Sequence, residues 1–316
     1  MKLMHSTDYK LYSSKIENDI RISLLSDLHF SYMIKEKKLD YILNYVIKIE
    51  PDYIIIDGDL IDSVDMILDI NEQNRLISWI RSLSSVSKVI ISLGSHDYTR
   101  KKYDKNNKMF WEYCFKKDFF NEINDISNVT LLNNSVYEDD EVCILGYTQS
   151  LKCYIPHKKE GMFKPVKEDK QRKKVEIKNL INKVGNISEE KLSLFLCHSP
   201  IYLTDDEFDF LDGYFDYYLS GHMHNGCVPP ILYEIWKSNR GLIAPNKEFF
   251  PQNERNTCLL KGDKLIVNGP LTTFQECTGK LQMFNFMFPY YASTIDFTND
   301  IKYDKEKVYV KRRYKS

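Results

Sequence analysis

The sequence predicts an α/β fold built on a largely parallel sheet. Short apolar runs rich in β-branched residues alternate with segments whose apolar residues recur every three or four positions. This alternation is typical of βαβ units, whose parallel strands are buried on both faces. After Gly226 the pattern changes to short β-like runs separated by glycine, proline and asparagine, which indicates antiparallel strands of a second sheet.

The strand predictions follow from these runs in chain order. Nearly unbroken apolar runs predict buried strands at residues 20–26, 53–56, 89–93, 192–196 and 217–219. Shorter runs predict the strands of the second sheet at residues 265–267, 293–297 and 308–310. Each strand of the first group stops at or just before a glycine, an acidic residue or a histidine, so polar side chains follow the strand ends.

Helical patterns lie between the predicted strands. Apolar residues at helical spacing predict helices at residues 38–49, 76–83, 110–126 and 167–184, the last of them highly charged on one side. We find no linker, low-complexity tract or repeat. We therefore expect a single domain over residues 1–316, with its core motifs in 20–225 and second-sheet strands in 226–316.

A short motif rich in carboxylates and imidazoles follows each buried strand. The motifs are Ser26-Asp27-Leu28-His29, Gly58-Asp59-Leu60-Ile61-Asp62, Gly94-Ser95-His96-Asp97, Cys197-His198-Ser199-Pro200 and Gly221-His222-Met223-His224. Only His5 and His157, of the seven histidines, lie outside them. Ligands of open α/β sheets bind beyond the carboxyl ends of the strands. Carboxylates and imidazoles gathered there are what a two-metal hydrolase needs.

The spacing within the motifs suits shared metal ions. Asp27 and His29 are two residues apart past a strand end, so both side chains can turn toward one ion. Asp59, at a neighbouring strand end, can bridge two ions about 3.5–4 Å apart. His222 and His224 are likewise two apart, so one can reach each ion. Carboxylate and neutral imidazole ligands suit Mn, Fe and Zn.

The order of the motifs resembles that of the calcineurin-like metallophosphoesterase superfamily, which reads D-x-H, G-D-x-x-D, G-N-H-[D/E], H and G-H-x-H. The resemblance covers residues 20–225, and five motifs in the same order are far more specific than any one alone. The remainder of the chain is loosely similar to a bacterial branch of predicted phosphohydrolases. The resemblance implies a four-layer α/β/β/α sandwich of two mixed sheets flanked by helices.

The resemblance also implies a dinuclear hydrolase in which Mn is the favoured ion over Fe or Zn. Asp59 would bridge two divalent ions, and a hydroxide between them would attack phosphorus. His96 would act as the general acid or stabilise charge on the phosphoryl group, and Asp97 would orient it. The implied ligands of the first ion are Asp27, His29, Asp59 and His224. Those of the second are Asp59, His198 and His222.

One residue departs from the family pattern, because Ser95 stands where relatives have a metal-ligating Asn. A serine hydroxyl is shorter and a poorer donor, so Ser95 is either a weak ligand of the second ion or a bystander. Asp57 is also unusual for the family, and could supply extra charge or a hydrogen bond to the turn. We interpret Asp62 as a helix-capping or first-turn carboxylate.

Composition narrows the class of partner. The net charge of −1 provides no basic surface, which disfavours a general nucleic-acid binder. The seven cysteines are irregularly spaced without a C-x-x-C pair, which favours reduced thiols. No apolar run approaches the roughly 18 residues of a membrane span, and no signal peptide is evident at the N-terminus. We therefore expect a soluble cytoplasmic enzyme.

Three functions remain open on these observations. The first is a metal-dependent phosphodiesterase, favoured over a monoesterase because a general acid such as His96 helps a poor leaving group most. The second is a scaffold whose second metal site is impaired by Ser95. The third is a nuclease, which the charge balance disfavours. The expected partner is a phosphorylated small molecule or a lipid headgroup; the physiological substrate and the oligomeric state are open.

Several further features are assigned mainly structural roles. We interpret His157 as a surface residue, the aromatic stretch 284–291 as packing, and the basic tail 302–316 as a solvated edge strand. A lipid-facing or partner-binding surface is the minor alternative for the last two. Substrate specificity is expected in the loops at residues 99–110, 148–170 and 226–260.

Overall fold

The computed structural model describes most of the chain. The described residues are 4–107, 109–151, 167–184, 190–200, 211, 213–229, 232, 256–258, 265–272, 290–304 and 309–315. Strands and helices are numbered below in chain order within these ranges.

The first sheet is built mainly from the amino-terminal third of the chain and two strands from its end. Its strands are β1 (Met4–Tyr12), β2 (Ile20–Leu25), β3 (Tyr53–Asp57), β4 (Lys88–Ser92), β7 (Val129–Leu132), β14 (Tyr290–Thr298) and β15 (Tyr309–Lys315). They lie in the order β15-β1-β14-β2-β3-β4-β7. Strands β2, β3, β4 and β7 run parallel, whereas β14 pairs antiparallel with β2, so the sheet is mixed.

The second sheet has six strands. They are β8 (Ser135–Glu138), β9 (Val142–Tyr147), β10 (Leu192–Cys197), β11 (Tyr217–Ser220), β12 (Asn256–Cys258) and β13 (Leu265–Val267). Their order is β12-β13-β11-β10-β9-β8, with a parallel centre and an antiparallel strand at each edge. A separate hairpin joins β5 (Thr99–Tyr103) to β6 (Met109–Tyr113).

The helices cover the outer faces of the sheets. They are α1 (Glu36–Ile49), α2 (Ile70–Ser84), α3 (Lys117–Asn124) and α4 (Lys167–Val184). The first three pack on the first sheet through residues such as Ile42 and Ile80, and α4 packs on the second through Ile177. Burial of each such side chain contributes about 1.5–3 kcal/mol. The Asp69 side chain caps α2 by accepting from Asn71 N at 2.8 Å.

A third apolar cluster lies between the two sheets. It joins β2 and β3 of the first sheet, through Leu24 and Ile55, to β9 and β10 of the second, through Ile144 and Leu194. The layers therefore follow the order helix, sheet, sheet, helix. The predicted four-layer α/β/β/α sandwich of two mixed sheets is confirmed.

The last two strands lie in a different sheet from the one predicted. Strand β14 runs parallel to β1 and antiparallel to β2, and β15 forms the edge next to β1, so both belong to the first sheet. Among the described strands after residue 226, only β12 and β13 join the second sheet, and β13 pairs parallel with β11. The assignment of residues 226–316 to second-sheet strands was therefore wrong for β14 and β15. Apolar runs predict strands locally, but they do not encode which distant strand becomes the partner.

The predicted helix at residues 110–126 is also shorter than expected. Residues Met109–Tyr113 form β6, and the helix begins only at Lys117. Aromatic residues favour strands, and Trp111 pairs with Lys101 of β5. This hairpin pairing overrides the weak helical spacing in the first part of the segment.

The strand ends of the two sheets continue into closely paired loops. Asp27 N donates to Gly58 O at 3.1 Å, and His29 N donates to Asp59 O at 2.9 Å. In the second sheet, Gly221 N donates to His198 O at 3.0 Å. These bonds hold the predicted motif loops side by side at the carboxyl ends of the parallel strands.

Candidate metal centre

Five of the candidate ligands lie at backbone positions that L-residues rarely adopt. Asp27, His29, Asp59, His222 and His224 have φ angles of 53°, 45°, 49°, 65° and 48°. Each such left-handed residue costs on the order of 1 kcal/mol, and such strain concentrates at functional sites. The backbone turns back at every one of these positions, which aims the side chains inward from the strand ends.

A first cluster is formed by Asp27, His29 and His224, whose ligand atoms lie within 4.8 Å of one another. His224 Nε2 is 3.2 Å from Asp27 Oδ1, and the Nε2 atoms of His29 and His224 are 3.4 Å apart. The other side of the Asp27 carboxylate accepts from the backbone N of His222, at 3.1 Å for Oδ2. The motif at residues 221–224 therefore contacts the motif at residues 26–29 directly.

A second cluster is formed by Asp59, His198 and His222, with the same spacing of ligand atoms. His198 Nε2 lies 3.0 Å from Asp59 Oδ2, and its Nδ1 lies 2.7 Å from the carbonyl oxygen of Asp57. That second contact fixes the ring orientation in which Nε2 points at Asp59. A Cβ added at Gly58 would lie 2.5 Å from His198 Nδ1, so only glycine permits this approach.

The two clusters touch. His29 Nε2 of the first lies 3.7 Å from Asp59 Oδ2 of the second, and His198 Nε2 of the second lies 3.6 Å from Asp27 Oδ1 of the first. Asp59 therefore lies between the two sets of imidazoles.

Burial and mutual charges set the protonation of this centre. Burial opposes ionisation of Asp27 and Asp59, but the neighbouring histidines outweigh it and lower the pKa of both carboxyls. Burial together with nearby imidazoles lowers the pKa of His29 and of His222 to about 3. Burial also lowers the pKa of His198, but Asp59 and Asp27 outweigh it and raise that pKa well above its ordinary value.

The donor set fits divalent cations. Ionised carboxylates and neutral imidazoles are the forms that bind metal, and most of the centre holds those forms. Three Nε2 atoms and two carboxylates approach one another at 3.0–3.9 Å. The Nε2 atoms of His29 and His224 face each other at 3.4 Å, a spacing that lets both bind one ion.

His96 lies beside the two ligand clusters but belongs to neither of them. Its backbone N donates to Asp59 Oδ1 at 2.9 Å, and its Nδ1 lies 2.6 Å from the carbonyl oxygen of Asp62. The ring packs edge-on against His29, with centroids 4.5 Å apart, and against Trp111, at 4.8 Å. The side chain is 24% exposed. His96 is thus fixed beside the metal ligands and still open to a substrate.

Asp97 bonds to the backbone around His96 and not to its ring, whereas the resemblance led us to expect that it orients the imidazole. Its carboxylate accepts from Gly94 N at 2.8 Å and from Ile61 N at 3.1 Å, so it ties two motif loops together. Burial and the charge of Asp59 raise the pKa of Asp97 to about 7. The residue that holds the His96 ring is Asp62, because the turn at residues 95–98 points the Asp97 side chain back into the fold.

Three other positions have defined surroundings. The Ser95 side chain is buried and forms no hydrogen bond with the described residues, while its carbonyl oxygen accepts from Thr99 Oγ1. Asp57 accepts from Ser92 Oγ on the neighbouring strand at 2.6 Å, not from the turn, and burial raises its pKa to about 7. His157 lies outside the described residues, and His5 stacks on Tyr291 in the first sheet.

Sequence reasoning missed a cluster on the rim of the centre. The interpretation of Asp62 as a cap was wrong, because Ser63 occupies the cap position of the following 3-10 turn. The Asp62 carboxylate lies 3.9 Å from His29 Nδ1, 4.0 Å from His96 Nδ1 and 2.7 Å from Lys101 Nζ. The concentration of aromatic residues at Phe110, Trp111 and Tyr113 was the available signal for the hairpin that carries this lysine.

Among the described residues, no helix is both long enough and apolar enough to cross a membrane.

Comparison with known proteins places this geometry in a family. The calcineurin-like phosphoesterase family model matches residues 20–226. An uncharacterised metallophosphoesterase from Campylobacter jejuni is 25% identical over 228 residues, which cover 72% of this chain and 50% of that protein. One from Helicobacter pylori is 27% identical over 88 residues, which cover 28% of this chain and 22% of that protein. The chain therefore spans about half the length of the Campylobacter jejuni protein and 22% of the length of the Helicobacter pylori protein.

Among solved structures, a dimetal phosphatase from Danio rerio has a TM-score of 0.40 at 10% sequence identity, covering 79% of this chain and 87% of that one. The family match itself covers well over half of this chain and contains all five motifs of the centre. The chain belongs to the calcineurin-like phosphoesterase family.

Proposed function

We propose that the protein is a dinuclear metal-dependent phosphoesterase that prefers phosphodiesters. The observation that carries the proposal is the contact between two buried ligand clusters, with Asp59 between them and His96 beside both. Family membership supports phosphoester hydrolysis in general. The position of His96 supports the preference for diesters.

The ligands divide between two ions in this proposal. Asp27, His29 and His224 would hold one ion, and His198 with His222 the other, while Asp59 contacts both groups. Bound divalent ions would polarise the phosphoryl oxygens and lower the pKa of a water molecule. The left-handed backbone at the ligand positions holds their side chains ready, so little reorganisation is needed when substrate binds.

His96 supplies the proton in this proposal. Its Nδ1 is engaged by the carbonyl oxygen of Asp62, so Nε2 is the nitrogen available for proton transfer. The doubly protonated ring, whose Nδ1–H donates to Asp62 O, would pass its Nε2 proton to the oxygen of the leaving alcohol as the P–O bond breaks, and would remain as the neutral imidazole. An alkoxide is a poor leaving group, so this help matters most for an alkyl diester.

The test compares two chromogenic substrates after loading with Mn, the ion that we propose. Hydrolysis of bis-p-nitrophenyl phosphate should exceed that of p-nitrophenyl phosphate. Asp59→Asn should abolish both metal binding and turnover, while Asp40→Asn, an exposed carboxylate on α1, serves as the matched control. Full activity of Asp59→Asn would refute the assignment.

Metal identity is tested separately. Elemental analysis of the purified protein, followed by reconstitution with Mn, Fe or Zn, should yield two ions per chain and the highest turnover with Mn. A stoichiometry of one ion would contradict the dinuclear centre and leave a mononuclear phosphoesterase.

A scaffold with an impaired second site is the alternative that Ser95 favours. Ser95 is a buried residue whose hydroxyl forms no hydrogen bond with the described residues, so it is available as a ligand. Ser95→Asn should raise second-ion affinity and turnover strongly if the native site is impaired. An unchanged rate would mean that the site functions with serine.

The substrate is proposed to be a phosphorylated small molecule or a lipid headgroup. A nuclease requires affinity for polynucleotide that falls steeply with salt. The net charge of −1 disfavours it. Salt-independent or absent binding to single-stranded DNA would remove this candidate.

A further inference from the structure

A hairpin extends from the His96 turn across the edge of the metal centre. Strands β5 and β6 pair Lys101 with Trp111 and Thr99 with Tyr113, so these four side chains share one face. Trp111 on this face packs against His96, and the ring centroids of Tyr113 and Tyr98 are 6.0 Å apart. The inner face of the hairpin therefore leads from the proposed acid toward Tyr113.

A cavity of about 340 Å³ opens at the Tyr113 end of the hairpin. Its other walls come from the loops that follow β7 and β9. Two of its lining residues tie it to the metal centre. Tyr98 ends the turn that carries His96, and the Gln149 side chain binds both N and O of Ser199, next to His198. This volume lies in the range of small-molecule sites.

The cavity offers polar groups that the described residues leave unused. Thr148 Oγ1 is buried and forms no hydrogen bond with them. Asn134 Oδ1 accepts from Thr148 N at 3.0 Å, while its amide nitrogen donates to none of them. The side-chain amide of Asn133 likewise forms no hydrogen bond with the described residues. A buried hydroxyl without a partner is unfavourable, and a ligand that bonds to it would remove that cost.

The cavity also offers an aromatic surface. Tyr113 is 66% exposed, and Tyr98 and Phe115 contribute further ring surface. Exposed tyrosine beside amide groups suits a flat or semi-rigid ring that carries hydrogen-bonding groups on its edge.

The described lining of the cavity favours an uncharged group over a second phosphate. Glu176 is the only charged residue among the described residues that line it, and none of them is a lysine or an arginine. An anionic group would meet a like charge here, whereas an uncharged group would not.

We infer that this cavity binds the leaving group of the substrate, and that the leaving group is an uncharged ring with hydrogen-bonding substituents. A nucleoside and a hexose both have this chemistry. The inference rests on the proposed function, because the leaving alcohol is defined as the group beside His96. Tyr113 would contact the ring face, and Asn134 and Thr148 its polar edge.

The test measures binding of the free rings, which needs no turnover. Saturation-transfer NMR and titration calorimetry with uridine, with methyl glucoside and with glycerol should show binding of one ring and none of glycerol. The two ring arms distinguish the nucleoside from the sugar. Tyr113→Ala should weaken that binding by roughly tenfold. Thr148→Val tests the polar edge in the same assay, and thermal melting verifies that each variant is folded.

Tyr103→Ala is the matched control, since Tyr103 is 63% exposed on the same face of the hairpin but does not line the cavity. Unchanged affinity in this variant, together with the loss in Tyr113→Ala, supports the inference. Absence of binding by both rings overturns it, as does equal loss in both tyrosine variants. Ring binding without diester hydrolysis would refute the proposed function and retain the cavity as a ring-binding site. Diester hydrolysis without ring binding would refute the inference about the cavity and retain the proposed function.

Discussion

His96 Nδ1 lies 2.6 Å from the carbonyl oxygen of Asp62, and this contact leaves Nε2 as the ring nitrogen that points away from Asp62. The carboxylate of the same Asp62 is bound by Lys101 at 2.7 Å. Lys101 lies on the hairpin whose Trp111 packs against His96. The proposed acid is therefore held by groups from two loops and a hairpin, and not by the neighbouring Asp97.

Removal of the imidazole should separate chemistry from metal binding. We expect His96→Asn to lower kcat for an alkyl phosphodiester by at least about 100-fold, because no group then protonates the leaving oxygen. The loss should be smaller for bis-p-nitrophenyl phosphate, whose leaving group needs little protonation. Metal content, measured by elemental analysis, should stay at the wild-type value. Equal losses on both substrates would argue against an acid role.

Lys101 is predicted to position His96 through Asp62. Lys101→Met should lower kcat by roughly tenfold with little change in KM, because the Asp62 carboxylate loses its partner and the segment that holds the imidazole shifts. As with His96→Asn, the loss of kcat should be larger for an alkyl phosphodiester than for bis-p-nitrophenyl phosphate. Lys102→Met is the matched control, since Lys102 alternates to the opposite face of the same strand. A purely structural effect would lower the melting temperature without any dependence on the leaving group.

Metal binding should release protons near neutral pH. The carboxylates of Asp59 and Asp27 raise the pKa of His198 well above its ordinary value, so its imidazole is protonated before the ion binds. A ligand imidazole must be neutral, so the apparent affinity should fall as the pH falls. Titration calorimetry of Mn in two buffers of different ionisation enthalpy measures the number of protons. A heat that does not depend on the buffer would contradict this prediction.

Asp139 is predicted to stabilise the fold in its ionised form. Burial opposes ionisation, but the hydroxyls of Tyr137 and Tyr53 and two backbone N–H groups outweigh it and lower the pKa of this carboxyl. A carboxyl whose pKa is lowered in the folded state stabilises it above the unfolded pKa. That contribution is lost as the pH falls through the folded pKa.

Asp139→Asn should therefore reduce the free energy of unfolding by about 1–2 kcal/mol at neutral pH, a figure kept small because the site is partly exposed. The difference from wild type should shrink in acid. Urea unfolding across a pH series measures it, with the exposed neighbour Asp140→Asn as control. An effect that is constant with pH would point to packing and not to charge.

Local patterns in the sequence predicted most elements of the fold. The helix at residues 167–184 and the strand at 265–267 have the predicted bounds, and the five buried strands differ from prediction by one residue at one or both ends. The family follows from the same motifs. These features depend on near neighbours along the chain, because side-chain period and the residues that end a strand are local properties.

Other features depended on partners that the local pattern does not specify. Strand β14 was predicted as a strand, but its place between β1 and β2 depends on residues far away in the chain. The same holds for Asp62, whose surroundings are made by His29, His96 and Lys101.

The sequence alone determined the element pattern and the residue types available at the strand ends, because periodicity and motif spacing are carried by short segments. The tertiary structure decided the sheet of the last strands, the group that holds His96 and the cavity beside Tyr113. Each of these arises where separate segments pack together, and long-range strand pairing and side-chain contact select one arrangement among the several that the local patterns permit.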